Sequence, residues 1–394
     1  MFPGCGEADG PAWVRGLQGD GGLGDFDAPA VVWTEGASAD ADTWELYWSV
    51  YLDAFSSDDD EGEPPATACI GRSVGTGRIS ALSWSHDDRP VYCSNVAYDE
   101  NGKPVAPRYA TEAAYVAAVD DGFAIDPAVY VDPSTGTSYM TWGSGVLHTV
   151  ALDPTTRHLV AAADLADGSG PGKDDMDDTN VYKVISRGIN EFNEAPYVHF
   201  HEGYFYLWVN WFACCAGRCS TYEIRVGRAT SPVGPFVDKN GNSMSADDAA
   251  TCAYDIEGDS DVPCSGGSAF LIGDAASGVL GPGHAGVLEY DAKFGKTRIF
   301  TFHYYDATDG GAKLGARLLS FEDGWPVLGD VWDIRDYTRC EVAAGATCDD
   351  ADDSDSSDGA SSGRDIPRGV VPVPVDEPTP SDPGDVDDDD ADDA

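Results

Sequence analysis

Apolar residues along this chain gather in short runs, alternating or continuous, that are separated by Gly, Pro and Asp. The stretch from Asn193 is representative. Tyr197 to Phe200 alternates, Glu202-Gly203 supplies a turn, Tyr204 to Trp211 is almost continuously apolar, and "STYEIRVGR" alternates again before the breaker-rich "SPVGPF". Alternation predicts a strand with one wet face, a short continuous run predicts a strand buried on both faces, and the Gly and Pro clusters predict the connections. Helical periodicity is scarce, whereas aromatic and β-branched residues concentrate in the runs. The expected class is all-β.

One phrase recurs: a polar residue, a Pro or small residue, a short strand, a turn, and an aromatic-rich strand. It begins at Asp27 ("DAPAVVWTEG…WELYWSVY"), Asp126 ("DPAVYVDPSTGTSYMTWGS"), Glu194 ("EAPYVHFHEGYFYLWVNW") and, more loosely, His284 ("HAGVLEYDAKFGKTRIFTFHYYD"). Repeated units of a few antiparallel strands describe the blades of a β-propeller, with a large β-sandwich as the competing arrangement. In a propeller the first strand of each blade lies nearest the axis. Asp27, Asp126, Glu194 and His284 are therefore expected around one end of a central channel.

Composition narrows the partners. The 394 residues carry a formal net charge of -47, which disfavours nucleic acid and anionic membranes and suits a solvated acidic surface. Hydrophobic residues make up 42%, enough for a core, but from Asp349 to Ala394 the chain is rich in Asp, Ser, Pro and Gly. The expected organisation is a folded domain over residues 1–348 and a disordered acidic tail over 349–394. No window of the tail fits a calcium loop. Ten cysteines include the close pairs Cys252/Cys264 and Cys340/Cys348 and the vicinal Cys214-Cys215 near Cys219. Zinc-type spacings with His are absent, so disulfides and an oxidising, secreted setting are expected, although "MFPGCGEADGPAWVRG" shows no signal peptide. "GSGPGKDD" has Asp174 where a phosphate loop needs Ser or Thr, and "GVLGPGHAG" precedes no helix, so neither supports nucleotide binding.

The run "EAPYV…GYFYLWVNWFACCAGRCSTYEIRVGRATSPVGPFVDKNG" resembles glycoside hydrolase family 43, above all its endo-acting α-1,5-arabinanases. "AIDPAVYVDPSTGTSYMTWGS" is similar to the family's preceding blade, and "GPGHAGVLEY…FHYYDATDGGAKLGARLLSFEDGWPVLG" to its last. The resemblance implies a five-bladed β-propeller of inverting hydrolases. By motif it makes Glu194 the proton donor, Asp126 the carboxylate that raises and orients that acid, and His284 a residue that helps hold a metal ion, calcium, in the channel. Such chemistry needs one protonated carboxyl for the leaving oxygen and one ionised carboxylate to activate water, about 6.5–9.5 Å apart. A neighbouring carboxylate keeps the acid protonated, because like charges disfavour a second ionisation.

The family places its base in a first-blade Asp-Pro phrase, which this sequence lacks. An incomplete first blade is therefore expected, through N-terminal truncation, with little hydrolysis of linear arabinan by the chain as given. Alternatively Asp27 substitutes as base, although it opens a different blade and should stand elsewhere around the ring. Trp142, Trp208, Trp211, Tyr304 and Tyr305 are candidate sugar-stacking platforms, of which one or two would serve, and Ser144 matches a small residue near the family's site. Cys214-Cys215 would brace a loop beside the cleft. The expected function is inverting hydrolysis of arabinan by a secreted monomer. The alternatives are a carbohydrate-binding propeller without catalysis, or a β-xylosidase or exo-arabinofuranosidase.

Overall fold

A computed structural model describes residues 26–34, 36–52, 67–77, 81–94, 96–98, 104–107, 123–159, 181–186, 193–245, 266–292 and 295–332. All of them lie in the first of two units, Met1–Glu341. The second, Val342–Ala394, contains the tail expected from Asp349 and lies outside the described residues, as do Cys252, Cys264, Cys340 and Cys348.

The first sheet is built from β1 (Phe26–Thr34), β2 (Thr43–Leu52), β3 (Thr67–Thr76) and β4 (Ser83–His86), with β5 (Tyr92–Cys93) also pairing with β3. A separate ribbon joins β6 (Val96–Tyr98) to β7 (Pro104–Pro107). The second sheet holds β8 (Ala128–Val131), β9 (Ser138–Trp142), β10 (Val146–Ala151) and β11 (Val181–Ser186) in that spatial order. The third holds β12 (Asn193–His201), β13 (Tyr204–Trp211), β14 (Glu223–Ala229) and β15 (Ser268–Ile272). The fourth holds β16 (Val279–Ala292), β17 (Gly295–Asp306), β18 (Ala312–Glu322) and β19 (Trp325–Val331). Each sheet is an antiparallel meander whose first strand forms one edge, and these first strands touch in sequence: β1 with β8, β8 with β12, and β12 with β16. This is propeller architecture. Five blades were expected, and the described residues form four blade sheets and the small ribbon.

The strand of continuous apolar sequence shows why the sheets stack. Along β13, Phe205, Leu207, Val209 and Trp211 join a core with Tyr130, Leu147 and Ile185 of the second sheet. The alternate residues Tyr206 and Trp208 join Ala285, Phe300, Phe302 and Leu319 of the fourth. With a side-chain period of two, a strand sandwiched between two other sheets buries both its faces and is apolar except where a polar side chain finds a partner, and each fully buried large side chain contributes roughly 2–3 kcal/mol. A third core, with Tyr47, Ile70 and Tyr92 facing Ile125, Met140 and Trp142, joins the first sheet to the second.

Polar staples reinforce that interface. Arg157, in the turn after β10, donates to both Glu45 oxygens on β2 (Nε to Oε2, 3.0 Å; Nη2 to Oε2, 2.7 Å; Nε to Oε1, 3.2 Å), and Arg72 on β3 donates Nε to Oε1 at 2.9 Å. Arg72 also reaches both oxygens of Asp87 at 3.1 Å, and His158 Nε2 lies 2.9 Å from Asp87 Oδ2. The two guanidinium groups outweigh the burial of Glu45, whose carboxyl stays below its ordinary range. A disulfide the sequence did not suggest, Cys69–Cys93, joins β3 to β5.

Candidate active site

The four opening residues belong to one backbone device. In the first, third and fourth sheets the register slips by one residue between Asp27 and Ala30, Glu194 and Tyr197, and Gly283 and Gly286. In the second, Gly143 N donates to Ile125 O at 3.0 Å while Ala128 pairs with Thr141, which is the same slip. Each is a β-bulge containing a residue in the left-handed region: Ala28 (φ 51°), Asp126 (φ 55°), Ala195 (φ 51°) and His284 (φ 55°). Superposed on the bulge, Asp27 and Glu194 share one position, just before the left-handed residue. Asp126 and His284 share the next, being the left-handed residue itself. Bulges re-aim side chains at functional sites, and a non-glycine residue there needs its surroundings to hold it.

The preceding sheet supplies that hold. Asp126 N donates to Ser49 Oγ at 3.0 Å, Ala195 N to Asp126 Oδ2 at 3.1 Å, and His284 N to Asn210 Oδ1 at 2.9 Å. Ser49 stands opposite Asp27 and Asn210 opposite Glu194 in the ladders. Gly143 stands opposite Ile125 and has no side chain, so the carboxylate of Asp126 takes the amide of Ala195 instead. Ser49 and Asn210 were not anticipated; the signal was a lone polar residue inside a buried apolar strand, which must find a partner.

Glu194 is half-buried, and both its oxygens are held. Ser144 Oγ donates to Oε2 at 3.0 Å, in an antiparallel bridge that carries Ser144 to the edge of β12, and Tyr222 OH donates to Oε1. Burial, with the charge of Asp126 added, pushes the Glu194 carboxyl up to about 7. Burial also pushes Asp126 up to about 7; the Ala195 amide opposes this and the charge of Asp27 adds to it. Tyr51 on β2 is raised to about 12 by burial and then by the charges of Asp126, Glu194 and Asp27. These mutual effects bring Asp27, Asp126 and Glu194 into one electrostatic cluster. Asp27 is exposed and opens the first sheet, and its charge reaches Asp126 and Tyr51. A buried carboxyl poised near neutrality beside two other carboxyls can hold a proton at neutral pH and give it up to a leaving group.

His284 is shifted downward by burial, and His303, opposite Gly283, is lowered to about 4 by burial and then by the charge of His284. Both imidazoles are neutral at neutral pH. Among the described residues no group of three or more His, Cys, Asp or Glu side chains is gathered as a metal cage requires.

The expected sugar platforms divide. Trp142 and Trp208 are fully buried and Trp211 is 7% exposed, so these three rings serve the cores between sheets and present no face to a sugar. Tyr304 packs against the core between the third and fourth sheets. Tyr305 is partly exposed, and its hydroxyl accepts from Cys215 N at 3.1 Å, tying the Cys214–Cys215 disulfide loop to β17. Ser144, expected near the family's site, touches Glu194. Tyr222 and Tyr51 were missed, because each reaches the site from a different sheet or segment and carries no local sequence signal.

Residues 108–326 match the family model described as glycosyl hydrolases family 43. Among curated relatives, arabinan endo-1,5-alpha-L-arabinosidase B of Emericella nidulans is 30% identical over 52% of this chain and 52% of its own length. The extracellular endo-alpha-(1->5)-L-arabinanase 1 of Bacillus subtilis is 34% identical over 37% of this chain and 38% of its own. The chain thus spans about half the length, or less, of the curated relatives it matches. Among solved structures, an alpha-L-arabinanase of Cellvibrio cellulosa complexed with arabinohexaose has a TM-score of 0.54 at 21% identity, covering 84% of each chain. An exo-1,5-alpha-L-arabinanase from a bovine ruminal metagenomic library has a TM-score of 0.54 at 23% identity, covering 82% of this chain and 83% of that one. At such identities these two establish the shared propeller fold. The family model covers more than half of the residues, Asp126 and Glu194 among them: the chain belongs to glycosyl hydrolases family 43.

Proposed function

We propose that this protein hydrolyses α-1,5-linked arabinan with inversion, Glu194 giving its proton to the leaving oxygen. The observation that carries this reading is the Glu194 carboxyl, pushed up to about 7 by burial and Asp126 and gripped at both oxygens. Relatives named as arabinan endo-1,5-arabinosidases support the substrate class. Asp126 keeps the acid protonated by its charge and holds the amide of Ala195, the residue after the acid. Asp27, the further described carboxylate whose charge reaches this cluster, is the base in this reading, drawing a proton from the water whose oxygen bonds to the anomeric carbon as the glycosidic bond breaks. The enzyme is a secreted monomer with an extracellular polysaccharide substrate. A channel calcium ion near His284 would add positive charge beside the site. The bulges and their amide partners need none.

The test is incubation with linear arabinan, with product lengths read by chromatography and the first-formed anomer by NMR. Inverted products that vanish with Glu194→Gln and fall sharply with Asp27→Asn support the full assignment. Unchanged turnover in Asp27→Asn removes that residue as base. Retained binding without turnover in the unmodified protein would identify a carbohydrate-binding propeller instead.

A further inference from the structure

Tyr222 lies just before β14, is 4% exposed, and directs its hydroxyl to Glu194 Oε1. Its ring is confined on two sides. It stacks on the imidazole of His303, centroids 5.9 Å apart and planes 29° apart. On another side it occupies the space left by Gly283, where a Cβ would fall 2.3 Å from Tyr222 Cδ2. The preceding loop is closed by Thr221 N to Ala213 O at 2.9 Å and fastened to β17 by Cys215 N to Tyr305 OH. The hydroxyl is therefore aimed at the acid by the fourth sheet, although Glu194 and Tyr222 both belong to the third.

We propose that Tyr222 is a positioning residue that sets the proton affinity of Glu194, its hydroxyl stabilising the carboxylate left behind when the acid has given its proton away. The proposal rests on Glu194 being the proton donor. Two influences favour the protonated acid: removal from water and the negative charge of Asp126. Left alone they would hold the proton too firmly for a group that must surrender it in each turnover. Hydroxyl donors to the ionised form act in the opposite sense. Ser144 supplies one at Oε2 and Tyr222 the other at Oε1. In the transfer, the Glu194 O–H bond breaks as a new O–H bond forms on the leaving oxygen, and the negative charge spreads over two carboxylate oxygens that each already face a donor.

The groups around the acid are few in kind. Asp126, before β8, is the carboxylate whose charge favours the proton on Glu194, and Asp27, on β1, acts in the same sense on Asp126. Tyr51, on β2, is held neutral, its hydroxyl raised to about 12. His303 and His284, on β17 and β16 behind the Tyr222 ring, are neutral imidazoles near pH 7. Tyr222 and Ser144 are then the hydroxyls that oppose the carboxylates.

The experiment follows the side-chain carbon of Glu194 by NMR in protein carrying carbon-13-labelled glutamate, the signal being assigned by its loss in Glu194→Gln. The readout needs no substrate, so it stands even if arabinan is not hydrolysed. In Tyr222→Phe the titration midpoint should rise by about one pH unit, a tenfold change in the ionisation constant. Gly283→Ala, which drives the ring from its seat, should raise it in the same direction. Where hydrolysis is measurable, the basic limb of kcat/KM moves up with the midpoint. A midpoint that stays put or falls in Tyr222→Phe, with melting unchanged, overturns the proposal and leaves Tyr222 as packing. Should Tyr222→Phe melt early, the Gly283→Ala titration decides on the same criterion.

Discussion

The backbone N–H of Ala195 donates to Asp126 Oδ2 at 3.1 Å, so the carboxylate that raises its neighbour's proton affinity also fixes the residue next to that neighbour. One side chain does an electrostatic task and a geometric one, and substitution can separate them. Asn at position 126 keeps an oxygen for the amide and removes the charge. Asp126→Asn should therefore fold normally while the Glu194 midpoint falls by about one unit, carrying the basic limb of the pH profile downward with it. Asp126→Ala removes both and should lower melting as well. Paired pH profiles and melting curves separate the two.

Glu194 also makes stability depend on pH. Its folded value, about 7, lies above the ordinary 4.5, so the folded state binds the proton more tightly than the unfolded state does. The stabilisation is complete below about 4.5, declines as pH rises towards 7 and is absent above it. Glu194→Gln removes this contribution and leaves that of Asp126, whose carboxyl is likewise raised to about 7. The variant should gain on the native protein by about 3 kcal/mol between pH 4 and pH 8 in urea titrations, while losing about 10²–10⁴-fold in turnover.

The Glu45 cluster predicts a different response. Its side chain is 6% exposed between Arg72 and Arg157, and its removal takes the carboxylate partner from Arg157 and leaves Arg72 with Asp87 alone. Glu45→Ala should cost about 3–5 kcal/mol in urea unfolding. The Glu45 and Asp87 carboxyls are both held below their ordinary values, so their contribution is present at neutral pH and fades as acid protonates them.

Gly283→Ala tests the close approach of the third and fourth sheets. The added methyl would sit 2.3 Å from Tyr222 Cδ2 and 2.6 Å from Asn210 Nδ2, so a ring or an amide must move. A loss of about 1–3 kcal/mol in stability is expected, with a larger fall in activity than Glu45→Ala produces at matched stability.

Much of this was legible because period-two patterning is local. The bounds of β13 follow from its apolar run, and the four opening residues follow from a repeated phrase. The division of those four into two positions of a bulge was not legible, since it depends on a left-handed backbone that Ala, Asp and His do not announce. Pattern likewise marks Trp142 and Trp208 as embedded in strands without saying whether a neighbouring sheet or a ligand covers them; here sheets do. Tyr222 and Cys69–Cys93 are contacts between segments well apart in sequence, and a linear reading has no purchase on them. Asp27 opens a different sheet from Glu194, as its place in the repeat implies, and the reach of its charge to Asp126 at the adjoining strand opening is not written in the sequence.

The repeated bulge has a consequence for how such a site can change. Each copy is a socket with two seats, one before the left-handed residue and one on it, and the preceding sheet bears the cost of the unusual backbone in the three junctions described. A side chain placed in either seat inherits its orientation from the frame. Asp27 and Glu194 occupy the same seat in different sheets, and Asp126 and His284 the other, so one frame carries both acidic and imidazole groups. The propeller acts as a turret with interchangeable mounts, in which new chemistry requires a new occupant and no new backbone.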